Sequence, residues 1–252
     1  MRIVTLLLVI LIIASVCTAE DTDYFDWKGG KLLAAKNYTG ALTYFDKAID
    51  QDPNFINAYV HIGDTRRAQK DYNASLESYN KALQLDNKTK TAWSGMIEAY
   101  VALNNYPKAS DAAAKLTAIE PTRKESWLKE GNLLQMQGLY DLAAEKYKSA
   151  LDIDPQYKDA LYRRAVSFMA MGNNSGAVEL LDQVLAIDAK YKQAYNVKGL
   201  ILEAEGKYAD AQAAYNASIE IDPSWSMPRV NEIHTLFAQG KPDDAMKIFV
   251  TV

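Results

Sequence analysis

Few side chains in this chain of 252 residues could carry out covalent or metal chemistry. The sequence holds two histidines, His61 and His234, and one cysteine, Cys17. That inventory excludes Cys/His zinc sites and a disulfide framework. His61 lies beside an apolar run and reads as a packed neutral side chain. The acid pair Asp243–Asp244 follows Pro242 and reads as the acidic first turn of a helix, complementing its dipole, rather than an acid–base couple. Gly29–Gly30 stands in neither a GxGxxG nor a GxxxxGKS run, so no phosphate-cradling loop is indicated. The formal charge is −4 with no long basic run, which argues against nucleic acid as a partner. These residues point to a non-enzyme with no cofactor and no metal.

Two further patterns concern modification and address. Asn-x-Ser/Thr occurs at Asn37, Asn73, Asn87, Asn173 and Asn216. Such sequons accept glycans in exported chains, and the same residues also favour caps and turns. Residues 1–19 read Met-Arg, an almost wholly apolar stretch from Ile3 to Val16, then Cys17-Thr18-Ala19. One positive charge, an apolar core and small residues at the end make a secretory signal, cleaved before Glu20. The run is short for a membrane span, which takes about 20 apolar residues. An uncleaved anchor, tethering the protein to a membrane through residues 3–16, is the alternative. Either way the sequence predicts an exported protein: extracellular, periplasmic or envelope-associated.

The elements that must position any site follow from a repeat. Pro53, Pro121, Pro155 and Pro223 are separated by 68, 34 and 68 residues, all multiples of 34. Taking each proline as position 32 gives repeats 22–55, 56–89, 90–123, 124–157, 158–191 and 192–225, with a truncated one at 226–252. Position 20 is small throughout: Ala41, Ser75, Ala109, Ala143, Ala177, Ala211 and Ala245. Position 8 is mostly small, with Gly29, Gly63, Gly131, Ala165 and Gly199, but Ile97 and Ile233 depart. Position 24 is mostly large, with Phe45, Tyr79, Tyr147, Leu181, Tyr215 and Phe249, and Ala113 departs. Apolar residues within each repeat recur three and four apart, predicting helix A over positions 2–15 and helix B over 18–30. Breakers such as Asn37, Asp71, Asn104-Asn105, Gly138, Gly172, Gly206 and Gly240 fall between them.

Trp127, Gly131, Leu134, Ala143, Tyr147, Ala150 and Pro155 reproduce the Trp-x2-Leu-Gly-x2-Tyr, Ala-x3-Phe, Pro pattern, so residues 22–252 resemble the tetratricopeptide repeat family. The resemblance implies an all-α, right-handed α-solenoid of stacked antiparallel helix pairs. It also implies a concave groove lined by helix A positions 2, 5, 9, 12 and 13. Early in the chain these are Asp23, Asp26, Asp64, Arg67 and Glu98. Later they are Leu128, Asn132, Met136, Tyr162, Val166, Met169, Asn196, Leu200, Val230, His234 and Phe237. The groove thus reads as acidic first and apolar later, suited to a protein or peptide segment with a basic part and an apolar part. Positions 5 and 9 lack the Lys, Asn and Arg set with which some relatives hold a terminal carboxylate.

The final residues Ile248-Phe249-Val250-Thr251-Val252 are largely apolar. Phe249 is expected to pack back near Leu236 and Phe237, and the remainder to be covered by a second copy or a partner. The function expected is an exported scaffold that binds proteins through its groove. The alternative is an accessory subunit of an envelope glycan- or polymer-processing complex.

Overall fold

The computed structural model describes residues 21–249. The signal or anchor segment at 1–19, with Cys17, and the end residues Val250 and Val252 lie outside the described residues. The described residues form fourteen helices and no strand. They divide into two compact units, one ending at Glu120 and one starting at Pro121.

The first unit contains α1 (21–34), α2 (Tyr38–Gln51), α3 (Ile56–Ala68), α4 (Tyr72–Leu85), α5 (Lys90–Ala102) and α6 (Tyr106–Ile119). The second contains α7 (Lys124–Gln135), α8 (Tyr140–Ile153), α9 (Lys158–Ala170), α10 (Asn174–Ile187), α11 (Lys192–Ala204), α12 (Tyr208–Ile221), α13 (Met227–Ala238) and α14 (Pro242–Phe249). Odd-numbered helices are helix A of a repeat and even-numbered ones helix B. Helix A stops two or three residues earlier than its apolar spacing suggested, because the chain turns left-handed at position 15. That residue has positive φ in all seven repeats: Lys36, Lys70, Asn104, Gly138, Gly172, Gly206 and Gly240. Around it the position-16 amide donates to the position-11 carbonyl, as in Asp71 to Arg66 and Leu139 to Leu134. This is the Schellman arrangement, which satisfies carbonyls that a helix end otherwise leaves open.

Four of the A–B pairs close on a contact between a glycine at position 8 and a ring at position 24. Tyr79, Tyr147 and Tyr215 are fully buried. A Cβ on Gly63, Gly131 or Gly199 would lie 2.5, 2.6 or 2.3 Å from the corresponding ring, so these glycines make room for the tyrosines. The third repeat solves the same volume problem the other way, with buried Ile97 at position 8 and buried Ala113 at position 24. The truncated repeat carries a large residue at both places, Ile233 and Phe249. The two cannot share one space, and Phe249 stays 65% exposed. The expectation that Phe249 packs onto helix A is therefore corrected.

Turns between repeats are braced by a side-chain ladder. Position 1 is Lys90, Lys124, Lys158 or Lys192 and reaches the acid at position 31 of its own repeat. The pairs are Lys90–Glu120 at 2.8 Å, Lys124–Asp154 at 2.5 Å, Lys158–Asp188 at 2.7 Å, and Lys192–Asp222. The aspartates also accept from the amide two residues on, at Gln156, Lys190 and Ser224. Lys192 and Ser224 together hold Asp222 at a pKa of about 2. Three of the lysines also lie over the position-34 ring: Tyr157, Tyr191 and Trp225. Position 4 adds a further tie, as Trp93 and Trp127 donate their indole N–H to the carbonyls of Asn87 and Pro121.

Candidate functional site

Within each unit the A helices lie side by side: α3 beside α5, then α7 beside α9, α9 beside α11 and α11 beside α13. The residues expected in the groove therefore sit on neighbouring helices inside each unit. What differs is how many of them are free to meet a partner.

In the first unit the acidic residues are engaged with one another's neighbours. Asp26 Oδ1 lies 2.7 Å from His61 Nδ1 across α1 and α3. That hydrogen bond holds His61 above its ordinary pKa, against the opposing effect of burial. His61 is thus a charge partner of a groove acid, which corrects the reading of it as merely packed and neutral. Arg67 bridges Asp64 at 3.3 Å and Glu98 on α5. Buried Tyr79 donates its hydroxyl to Asp64 at 2.7 Å and accepts from Arg67 Nε at 3.2 Å. Asp64 therefore satisfies a hydroxyl that burial would otherwise leave unpaired. Of the acids expected to face a partner, Asp23 is exposed without an ion pair among the described residues.

The second unit spends its polar groove residues in the same way and leaves its apolar ones uncovered. Tyr147 donates to Asn132 Oδ1 at 2.9 Å. Asn196 is only 6% exposed and accepts from Asn231 Nδ2 at 2.9 Å, joining α11 to α13. In both amides the carbonyl oxygen is thus engaged. Leu128, Tyr162, Val166 and Met169 are half-buried against the core of this unit, and Leu200 is half-buried as well. Met136, Val230 and Phe237 are 55%, 40% and 52% exposed, and His234 is exposed between the last two.

The helix pairing, the small-for-large exchange and the 34-residue column structure agree with the family models. Tetratricopeptide repeat models match residues 28–89, 66–129, 134–201 and 192–224. The chain belongs to the tetratricopeptide repeat family. No curated protein matches this tetratricopeptide chain, but many solved structures share its fold. A tetratricopeptide repeat protein from Parabacteroides merdae is 18% identical, with a TM-score of 0.67 over 92% of both chains. The crystal structure of MamA is 21% identical with a TM-score of 0.61, covering 67% of this chain and 92% of that one. YrrB, described as having an unusual peptide-binding site, is 20% identical with a TM-score of 0.61, covering 73% of this chain and 95% of that one. At these identities the likeness shows the fold alone.

In this tetratricopeptide protein the sequons fall into two groups. Asn37 and Asn173 cap α2 and α10, accepting from Gly40 and Gly176 at 3.0 and 3.1 Å. Asn73, Asn87 and Asn216 are exposed, in the first turn of α4, a turn, and α12. Among the described residues no group of His, Cys, Asp and Glu is placed to hold a metal ion, and no helix is long and apolar enough to cross a membrane. Sequence reasoning missed the lysine–acid ladder, although columns 1 and 31 spell it out when read vertically.

Proposed function

We propose that this protein is an exported scaffold that binds a protein segment through the A-helix face of its second unit. The observation that carries the reading is the exposure of Met136, Val230 and Phe237 at groove positions. Exposed apolar side chains gathered on one face mark interaction surfaces, and solenoids bind through their extended concave faces. Three of the four groove acids of the first unit, Asp26, Asp64 and Glu98, already meet His61 or Arg67, so on this reading the partner's apolar part supplies most of the affinity. Export rests on residues 1–19, whose composition is that of a secretory signal. Of the five sequons, Asn73, Asn87 and Asn216 are the better glycan acceptors, because their side chains do no capping.

The test is affinity capture from the exported fraction of the source cell with purified full-length protein. Val230→Asp combined with Phe237→Asp is expected to lose the partner, while Asp23→Lys retains it. Undiminished capture by the double variant overturns the groove assignment. Terminal sequencing of the native protein addresses export separately: an N-terminus near Glu20 supports it, and an intact Met1 in a soluble cytoplasmic fraction overturns it.

A further inference from the structure

Position 7 of helix A is charged in all four repeats of the second unit, as Glu130, Arg164, Lys198 and Glu232, and two of the four charges are paired. Glu130, almost fully buried, meets Lys146 at 2.8 Å. Lys198 meets Asp182 at 2.7 Å. Among the described residues Arg164 makes no side-chain ion pair or hydrogen bond, and its Nε is buried without an acceptor. Its guanidinium lies over the Phe168 ring, with Cζ 5.0 Å from the centroid. A half-buried cation of this kind is costly to keep. Within α9 the Phe168 ring offsets that cost only in part.

The surroundings supply a reason. Arg164 lines a cleft of about 370 Å³ formed by α8, α9 and α10, whose walls include Leu151, Pro155, Leu161, Phe168 and Leu180. Gly176, Glu179 and Gln183 complete the lining. These residues occupy positions 4, 7, 11, 19, 22, 23, 26, 28 and 32, none of which belongs to the groove set. The cleft is therefore separate from the face used in the proposed function. It has apolar walls and a planar cation with its hydrogen-bonding capacity unspent, which suits a carboxylate carried on an apolar segment.

We infer that this cleft is a second binding site, taking an acidic side chain flanked by apolar residues from a protein partner. The ligand carboxylate would accept from the Nη groups of Arg164, with Phe168 holding the guanidinium plane and the leucines covering the flanking side chains. Glu179 lines the same cleft without pairing to Arg164, and its negative charge opposes the incoming carboxylate. It therefore sets an upper limit on affinity.

The experiment uses two synthetic peptides, acetyl-Leu-Glu-Leu-amide and its Gln twin, titrated into the full chain. Binding is followed by the Arg164 Nε–Hε signal in nitrogen-15 NMR. The Glu peptide is expected to move that signal and to bind at least about tenfold more tightly than the Gln peptide, as hydrogen bonds to charged groups imply. Arg164→Met is expected to abolish the preference and to melt no lower than the parent, since it removes an unpaired buried cation. Glu179→Gln is expected to tighten the Glu peptide several-fold. Equal binding of the two peptides overturns the inference. A preference that survives Arg164→Met, or no movement of the signal at millimolar peptide, overturns it as well. Val230→Asp with Phe237→Asp leaves these results unchanged, so the cleft and the groove fail or succeed independently.

Discussion

The two units build the same corner from different residues. Before Glu120, helix A ends on Lys36, Lys70 and Asn104, all with positive φ, and the next helix opens on Asn37, Asp71 and Asn105. Each of those caps accepts from an amide three residues on. After Pro121 the left-handed residue is Gly138, Gly172, Gly206 or Gly240. There the cap position holds Leu139, Lys207 or Lys241, and Asn173 alone among the four supplies a side-chain bond to the following helix. One unit accepts a strained ending and compensates with a strong beginning; the other does the reverse. The shared backbone shape is thus required by the stack, while the energy that secures it can come from either side of the corner.

The largest expected effect exchanges the two units' interior solutions. Gly131→Ile should destabilise by about 3 kcal/mol, because the new side chain meets the Tyr147 ring. Adding Tyr147→Ala copies the Ile97–Ala113 pairing of the other unit and should recover much of that loss in urea melts. A double variant no better than the single one would mean that the two positions do not share a volume.

Gly138→Val is next, at about 2 kcal/mol, since a β-branched residue is placed left-handed. Lys70→Gly should gain up to about 1 kcal/mol at the equivalent corner. Equal and small changes in the two melts would dissolve the contrast between the units. The caps give a matched pair of smaller effects. Asp71→Ala should cost about 1 kcal/mol, and Leu139→Asp should return a similar amount by installing a cap. Hydrogen exchange across the first turns of α4 and α8 reads these locally.

The smallest effect is one of pH and belongs to the first unit. His61 has a raised pKa in the folded state. Its contribution is therefore complete below the unfolded-state value and lost as pH rises through the folded one. As pH rises above the ordinary histidine value of about 6.5, the parent should lose a few tenths of a kcal/mol relative to His61→Gln, the pair being partly screened by solvent. Parallel pH profiles for the two proteins would show that the Asp26 contact is without consequence.

The fold was largely legible because its determinants repeat. Columns 8, 20 and 24 each ask one steric question seven times, and Ile97 with Ala113 reads as a paired exception. The corner was less legible, since Lys36 and Lys70 are not residues that advertise a left-handed turn. The groove was legible as a set of positions but not as chemistry. Asp26 meets His61 one repeat and one residue away, and Asp64 is held by a tyrosine from helix B. Charge read along one helix cannot show neutralisation by the next. Phe249 was misread because the expectation considered its own hydrophobicity and not the occupant of position 8.

The lysine–acid ladder has a consequence for how the chain acquires its shape. Lys124 with Asp154, and Lys158 with Asp188, close loops of 30 residues, and the ties between neighbouring A helices reach 35. Such spans cost little loop entropy and give a topology of low contact order. A length of about one repeat holds everything that its own brace requires. Structure can therefore accumulate from the first repeat onward while later ones are still being delivered, with each completed pair serving as the template on which the next is laid.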